Sequence, residues 1–387
     1  MNSLSQFYTE DIFSKLLVDY LEVAAPSTVL DLGVGQGSLI RAAYDRWGTT
    51  TDFVGVDIDK SNVKSITQNY PFIKVHHANG LKMDIEKSLY LPKKTVDIAV
   101  CNPPYQFIKD KDAYAQLLFE TGLYDCLNLK KITSDIIFLA QNMKLLREGG
   151  ELGIILPDSI MTGKDFLAFR ASILSAYRIN ALIELPSGIF SKTEAKTHIL
   201  YLRKNGSENP NIPMLISGID GKCSNQIEVD LGSLEDRMDY SFHKYNLSVP
   251  RGRASIREYN ISVFRGNLTH KDLQNKKDSF LHSTTFKNGD ILSFKTTRKY
   301  NKYVMAEPGD VIIVRVGRGC VGKAAFINEG RVPVSDCIYV LKGDSVINKR
   351  VFHFLVSEEG KAWVRANSHG VCSKVLSKSD IENIPVI

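Results

Sequence analysis

The four residues Asn102-Pro103-Pro104-Tyr105 have the types and spacing needed for chemistry on an amino group. An amino group conjugated with an aromatic ring is a poor nucleophile, because its lone pair is delocalised into the ring. The amide oxygen of Asn102 and the backbone carbonyl of Pro103 can accept both of its hydrogens, and the two prolines stiffen the turn. Tyr105 offers an aromatic face to a planar base. We therefore predict that this turn orients an amino group towards an electrophile that is already activated.

A second chemical signal lies upstream, in the run Asp31-Leu-Gly-Val-Gly-Gln-Gly. Its glycines, Gly33, Gly35 and Gly37, allow a tight turn and a close approach of backbone to ligand. The G-x-G-x-G spacing lacks the third glycine position of the dinucleotide fingerprint. By itself the run therefore leaves a dinucleotide, S-adenosylmethionine and plain turn chemistry open. The next apolar run ends at Asp57, whose carboxylate can accept hydrogen bonds from ribose hydroxyls.

These motifs must be positioned by strands and helices, and apolar runs do alternate with helical patterns up to Leu202. This alternation predicts an α/β fold with a doubly wound, Rossmann-like sheet and helices on both faces. The predicted strands cover residues 28–32, 52–56, 73–77, 96–101, 152–156, 181–185 and 198–202. The predicted helices cover residues 39–47, 60–69, 113–124, 134–146 and 165–177.

The pattern changes after Arg203, where a turn-rich stretch begins. We expect a first domain over residues 1–204, a connecting region over 205–255 and a second, mainly β (α+β) domain over 256–387. Period-two segments at 310–316 and 337–341 support strands in the second domain, and one helix is expected near 349–357.

Charge is distributed unevenly between these parts. The chain carries a formal net charge of +6, but from Leu247 onwards 23 Lys and Arg face 13 Asp and Glu, a net of +10. The preceding residues, up to Asn246, carry 26 basic against 30 acidic side chains. A basic terminal third is typical of a module that contacts phosphates, although a Lys-rich solvated surface would produce the same count.

Composition also excludes several classes of protein. The six cysteines form no CxxC pair and no Cys/His cluster, so neither a metal site nor a disulfide framework is expected. No apolar run is long enough for a membrane span, and the N-terminus lacks the layout of a signal peptide. We therefore expect a cytoplasmic protein with no membrane partner.

The runs DLGVGQG, GVDID and NPPY, in this order and at these spacings, resemble the amino-methyltransferases of DNA. Residues 149–157 and 190–200 are similar to later motifs of the modification subunits of type I restriction systems. The resemblance implies transfer of a methyl group from S-adenosylmethionine to N6 of an adenine flipped out of double-stranded DNA. It also implies a setting of restriction or DNA defence, with a restriction or specificity subunit as partner.

The resemblance extends the set of site residues. Phe190 becomes a second stacking partner for the flipped base, although an ordinary core phenylalanine fits that position equally well. At Asn79 the family usually has an acidic residue that accepts from the cofactor's adenine; the Asn79 amide oxygen can still accept, with weaker or differently tuned binding. The implied cofactor-binding residues are Gln6, Tyr8, Thr9, Asp31, Gly33, Gly35, Gly37, Asp57, Ile58, Asn79, Gly80 and Asn102.

From about Ile256 the chain resembles a single target-recognition domain of type I specificity subunits. The similarity rests on residues 308–317, 322–326, 334–340 and 377–385. Four cations in or near its turns are expected to reach phosphates or guanine edges, while each alone also fits a solvated surface charge. They are Arg315, Arg318, Lys323 and Arg331.

Other functions stay open at this point. The NPPY turn also occurs in enzymes that methylate a glutamine amide in protein or amino groups of RNA bases, but these leave the basic β-rich part unexplained. A catalytically silent DNA-binding module is another alternative. A fused nuclease is not expected, because the chain begins almost at the cofactor segment and the acidic-x-Lys pair Glu194-Ala-Lys196 lies inside a methyltransferase motif.

Overall fold

The computed structural model describes residues 9–91, 94–190, 196–206, 209–249, 252–269, 272, 280–295, 302–317, 319–370 and 374–387. The chain divides into two compact units, Met1–Tyr240 and Ser241–Ile387. The boundary lies inside the predicted connecting region, and residues 205–240 belong to the first unit.

Within its described residues, the first unit has one nine-stranded sheet. Its strands are β1 (Thr28–Asp31), β2 (Asp52–Asp57), β3 (Ile73–His77), β4 (Val96–Cys101), β5 (Leu146–Pro157), β6 (Arg178–Glu184), β7 (Thr197–Arg203), β8 (Asn211–Ile216) and β9 (Ile227–Asp230). The order across the sheet is β3-β2-β1-β4-β5-β7-β6-β8-β9. The strands β1 to β5 are parallel to their neighbours among themselves, whereas β7 is antiparallel to both β5 and β6.

Helices of the first unit cover both faces of this sheet. They are α1 (Asp11–Asp19), α2 (Ser38–Trp47), α3 (Lys60–Asn69), α4 (Ile85–Leu89), α5 (Ala115–Glu120), α6 (Ser134–Leu145), α7 (Asp158–Thr162) and α8 (Leu167–Ala176). Apolar residues of α1, α2 and α3 pack into one core cluster, and those of α6 and α8 pack into another. The predicted doubly wound α/β fold is therefore confirmed.

The central strands contribute alternate residues to these two clusters. On β4, Ile98 and Val100 pack on the side of α1 to α3, while Ala99 and Cys101 pack on the side of α6. A strand that is covered on both faces is apolar along most of its length. The exception on β4 is Asp97, whose Oδ2 accepts from the backbone N–H groups of Ser27 and Thr28 at 2.8 and 2.9 Å.

The predicted bounds match for some elements and differ for others. Strands β3 and β4 and helix α3 have the predicted bounds, whereas β5 begins six residues before the predicted start at Leu152. Strands β8 and β9 lie in the predicted connecting region, where β8 pairs in parallel with β6. Their weak periodicity has a physical reason, since strands near a sheet edge are only partly buried.

The second unit, which begins with most of α9 (Tyr240–Ser248), combines strands with several helices. Its strands are β10 (Ser262–Arg265), β11 (Asp290–Ser293), β12 (Met305–Ala306), β13 (Val311–Val314), β14 (Val316–Gly317), β15 (Ala324–Glu329), β16 (Val332–Pro333), β17 (Ile338–Lys342) and β18 (Lys374–Val375). A five-stranded sheet has the order β10-β17-β13-β15-β11, and β12-β16 and β14-β18 form two small pairs.

The described residues of this unit also form the helices α10 (Ser345–Val356), α11 (Glu358–Asn367) and α12 (Lys378–Glu382). The predicted helix near 349–357 is α10, and the strands predicted at 310–316 and 337–341 contain β13 and most of β17. Phe352 of α10 packs 6.0 Å from Phe326 of β15, measured between ring centroids. The helices therefore share the core of the sheet, and α11 and α12 were not expected from the sequence.

Among the described residues, no helix is long and apolar enough to cross a membrane. The same residues contain no group of three His, Cys, Asp or Glu side chains that could hold a metal ion.

Candidate functional site

The candidate site lies at the carboxyl edge of the sheet in the first unit. Because β1 pairs in parallel with both β2 and β4, the ends of these strands meet at one edge. Asp31 ends β1, Asp57 ends β2, and Asn102 follows β4. The structure thus brings together three predicted motifs that are separated along the chain.

The glycine-rich loop after β1 is shaped by two carboxylates. Asp31 Oδ1 accepts a hydrogen bond from the backbone N–H of Gly33 at 3.1 Å, and Asp57 Oδ2 accepts one from that of Gly35 at 2.8 Å. Gly35 and Gly37 have positive φ values of 52° and 85°, which side-chain-bearing residues rarely adopt. The glycine types at these two positions are therefore required by the turn itself.

Asp57 is engaged more fully than the sequence suggested. Besides Gly35, its carboxylate accepts from the backbone N–H of Asp59 at 2.7 Å and from Asn62 Nδ2 at 3.2 Å. A carboxylate has about four acceptor sites, so most of its capacity positions the two loops. The next residue, Ile58, is 48% exposed and adds an apolar surface at the same edge.

Asp31 is a buried carboxylate with an incomplete set of hydrogen bonds among the described residues. Only 1% of the residue is exposed, and Oδ2 has no hydrogen-bond partner among the described residues. The pKa of Asp31 is raised to about 7. Burial is the main cause and the nearby Asp57 adds to it, while the Gly33 hydrogen bond acts in the opposite direction. A buried carboxylate oxygen without a donor is costly unless a ligand supplies one.

Phe138 of α6 packs between the glycine-rich loop and the loop that contains Gly80. A Cβ at Gly80 would lie 2.8 Å from the Phe138 ring and 2.9 Å from the carbonyl oxygen of Leu32, whereas a Cβ at Gly33 would lie 3.6 Å from the same ring. Gly80 is therefore required by packing. Its neighbour Asn79 is exposed, and its Oδ1 already accepts from the backbone N–H of Leu81 at 3.0 Å.

The Asn102 side chain is held at both ends of its amide. Nδ2 donates to Thr9 Oγ1 at 3.0 Å, and the Tyr105 hydroxyl lies 3.1 Å from Asn102 Oδ1 and 3.3 Å from the carbonyl oxygen of Ile155. Burial, with the nearby Asp135 and Cys101, raises the pKa of Tyr105, so its hydroxyl stays protonated as a donor. Tyr105 thus holds the oxygen end of the amide, and Thr9 holds its nitrogen end.

Thr9, predicted as a cofactor contact, is buried and accepts the hydrogen bond from Asn102. Its contact with a cofactor stays a prediction. Gln6 and Tyr8, predicted with it, lie outside the described residues.

The start of α6 is hydrogen-bonded to the turn that follows β4. Ser134 Oγ donates to the carbonyl of Pro104 and accepts from the backbone N–H of Gln106 at 3.0 Å, while the Ser134 N–H donates to the Gln106 carbonyl at 2.8 Å. Sequence reasoning missed Ser134 and Phe138 as site residues. The only available signal was that Ser134 begins a predicted helix, which says nothing of its partner.

Phe190 lies in a core position in this structure. It is 3% exposed and packs in the apolar cluster that also contains Ile155 and Leu185. Residues 191–195, which follow it, lie outside the described residues. Its role as a second stacking ring stays a prediction.

A buried ionic cluster, which the sequence did not predict, lies at the ends of β5, β6 and β7. Lys196 Nζ is 2.9 Å from Glu184 and 3.4 Å from Asp158, and 3.8 Å from Asp239, which also pairs with Arg237 at 2.7 Å. Burial alone would lower the pKa of Lys196, but the three carboxylates outweigh it and raise the pKa. Lys196 is thus a charged residue inside a buried ionic cluster.

The predicted cations of the second unit do not form one group. Arg315 follows β13 and Lys323 precedes β15, and the backbone N–H of Val314 donates to the Lys323 carbonyl at 2.9 Å, so these two lie at one end of a strand pair. Arg331 lies beyond the other end of β15, whose six residues span roughly 20 Å. It pairs with Glu307 at 3.1 Å. Arg318 lies outside the described residues.

Comparison with known proteins gives a family match and several distant relatives. The chain matches the family described as N-6 DNA Methylase over residues 2–222. The type II methyltransferase M.TthHB8I of Thermus thermophilus is 26% identical over 209 residues, which cover 53% of this chain and 46% of that protein. The methylase subunit of the type I restriction enzyme MpnII of Mycoplasma pneumoniae is 24% identical over 220 residues, 52% of this chain and 40% of that protein. The matches thus span less than half the length of these relatives.

One solved structure is similar over nearly the whole chain. The type IIG restriction endonuclease BpuSI aligns with a TM-score of 0.52 and 14% identity, covering 97% of this chain and 57% of that chain. At this identity the likeness concerns the fold alone.

The packing around Phe138 leads to a first prediction. Gly80→Ala should lower the Tm by about 3–10 °C, because overpacking costs about 1–3 kcal/mol, while Gly33→Ala should change it little. Replacing the aromatic ring by a smaller side chain, Phe138→Leu, should recover part of the lost Tm in the Gly80→Ala background. Thermal unfolding of the four proteins checks this, and equal Tm values for the two alanine variants would contradict the packing.

The raised pKa of Asp31 leads to a second prediction. The pKa is about 7 in the folded protein and about 3.9 in an unfolded chain. The folded state therefore holds the extra proton between these pH values, and stability falls as pH rises through this window. Asp31→Asn should remove that fall. Urea unfolding without added ligand at intervals from pH 5 to 8 measures it; parallel curves for wild type and variant would refute the assignment.

Proposed function

We propose that this chain, which belongs to the N-6 DNA methylase family, transfers a methyl group from S-adenosylmethionine to the exocyclic N6 of an adenine in double-stranded DNA. The observation that carries the proposal is the Asn102 amide, held by Thr9 and Tyr105 beside the glycine-rich loop. An amide oxygen in a fixed orientation is what a weakly nucleophilic amino group requires. As a methylase of DNA, the protein is proposed to work in the cytoplasm within a restriction or defence system, with a restriction or specificity subunit as partner.

The residues of the edge fit S-adenosylmethionine. The Oδ2 atom of Asp31, which has no hydrogen-bond partner among the described residues, would accept from the cationic methionine part, and the loop with left-handed turns at Gly35 and Gly37 would carry the ligand. Ile58 offers apolar surface, and the remaining lone pair of Asn79 can accept from an adenine amino group. Bound there, the cofactor supplies a methyl group already activated on a sulfonium, so the chain needs no strong general base.

In the proposed reaction, the chain binds and orients the amino group. Asn102 Oδ1 and the Pro103 carbonyl accept the two N6 hydrogens, and Ser134 stiffens the turn by bonding the next carbonyl, that of Pro104. Tyr105 provides the stacking face for an adenine that has left the duplex. Phe190 would join it only if its buried ring became accessible.

We propose the second unit as the part that recognises DNA. The support is the net charge of +10 after Asn246 together with its resemblance to a target-recognition domain. Arg315 and Lys323, at one end of a strand pair, are the stronger candidates for contacts. Arg331 would first have to leave Glu307, which lowers its expected contribution.

Methylation and its dependence on Asn102 form the third prediction. Single-molecule sequencing of DNA from cells producing the protein should show N6-methyladenine at one short sequence. Asn102→Ala should reduce purified activity at least about 100-fold, as for loss of another preorganised polar contact, with cofactor affinity nearly unchanged. Asn69→Ala, on the exposed end of α3, is the matched control. Methylation found only on RNA or protein, or full activity of Asn102→Ala, would sink the proposal.

The division of the chain into two units leads to a fourth prediction. A fragment ending at Tyr240 keeps β8, β9 and the Asp239 partner of Lys196, and should fold and bind cofactor; one ending at Lys204 lacks them and should not. The first fragment should lose most duplex affinity and most of its salt dependence, because each lost phosphate contact lowers the slope by about one. Binding isotherms over a salt series measure this. Specific methylation at full affinity by the fragment ending at Tyr240 would refute the role of the second unit.

A further inference from the structure

A large aromatic side chain stands exposed beside the candidate catalytic turn. Phe107 is 67% exposed, although it lies only two residues beyond Tyr105. Two residues of extended chain span at most about 7 Å, roughly the rise of two nucleotides along one DNA strand. Phe107 is therefore within reach of the bases that flank whatever base enters the turn.

The backbone under Phe107 is held firmly. Phe107 forms an antiparallel bridge with Thr133, the N–H of Ile108 donates to the carbonyl of Ile132 at 3.0 Å, and Ser134 binds Gln106 on the other side. The segment that fixes the catalytic turn thus also fixes this ring. Because the Phe107 ring stays largely in water, its apolar surface contributes little to the stability of the fold.

Cations accompany the ring. Lys131 Nζ lies 4.9 Å from the ring centroid, and Lys109 and Lys130 are also exposed in the adjoining segments. Lys111, by contrast, is committed to the protein, because its ammonium donates to the carbonyl of Leu129 at 3.1 Å. An aromatic face with an ammonium group beside it, here that of Lys131, is the combination that binds a base together with its phosphate.

We propose that Phe107 stacks on the base next to the extruded adenine and holds the gap in the duplex open, while Lys131 contacts a neighbouring phosphate. This inference rests on the proposed function, and assigns a positioning role in base extrusion rather than in methyl transfer. Extrusion costs stacking and pairing energy, and stacking on an aromatic side chain offsets part of that cost.

The chain offers a matched control for exposure alone. Phe119 of α5 is 73% exposed and packs edge-to-face with Tyr124 at 6.2 Å between ring centroids. It is an exposed phenylalanine of the same unit, twelve positions further along the chain than Phe107.

The experiment compares two DNA substrates of the methylated sequence. One is a fully paired duplex; the other carries an abasic residue opposite the target adenine, which removes the pairing cost of extrusion. kcat and KM are measured on both for wild type, Phe107→Ala, Phe107→Trp, Lys131→Ala and Phe119→Ala. A third duplex, with 2-aminopurine at the target position, reports unstacking by fluorescence on binding, without methyl transfer.

Phe107→Ala is expected to lower kcat/KM about tenfold on the paired duplex and less than about twofold on the abasic duplex, within the range of one lost base stack. Its 2-aminopurine signal should fall in parallel, and Phe107→Trp should restore both readouts. Lys131→Ala should weaken binding to both duplexes equally and lower the salt slope by about one. Phe119→Ala should match wild type throughout.

Equal losses on the two duplexes for Phe107→Ala, or no loss on either, would overturn the inference while leaving the proposed function intact. A wild type that methylates neither duplex would instead overturn the proposed function, and this inference with it.

Discussion

The parallel pairing of β1 with β2 and β4 is the constraint on which the candidate site depends. It places the ends of three buried strands side by side, so that Asp31, Asp57 and Asn102 meet although they are distant in sequence. The strands are buried on both faces, where their side chains pack in the two core clusters against helices on either side. The free energy that stabilises the core therefore also fixes the geometry of the edge.

Helix α6 converts this edge into a defined pocket. Phe138 sets the distance between the glycine-rich loop and the loop at Gly80, and Ser134 ties down the turn that follows β4. The same junction carries the exposed ring of Phe107 through its bridge to Thr133. One helix start thus positions the proposed substrate-orienting residues and the ring proposed to act on the duplex.

The ionic cluster around Lys196 has a complementary role. It joins the ends of β5, β6 and β7 to Asp239, which lies just before the boundary between the two units. Buried charges are costly unless they are paired, and removing one partner would leave the others uncompensated. The cluster therefore ties Lys196, just before β7, to the end of the first unit.

The sequence by itself determined the alternation of strands and helices, the order of the motifs and the asymmetry of charge. These features are local, since a strand buried on both faces is mostly apolar and a left-handed turn favours glycine, as at Gly35. Only the tertiary structure decided which side chains meet: Thr9 with Asn102 across 93 positions, Phe138 against Gly80, and Lys196 among three carboxylates. It also recruited β8 and β9 to the sheet and buried Phe190. Such contacts depend on packing between distant segments, and neither periodicity nor residue type encodes the partner.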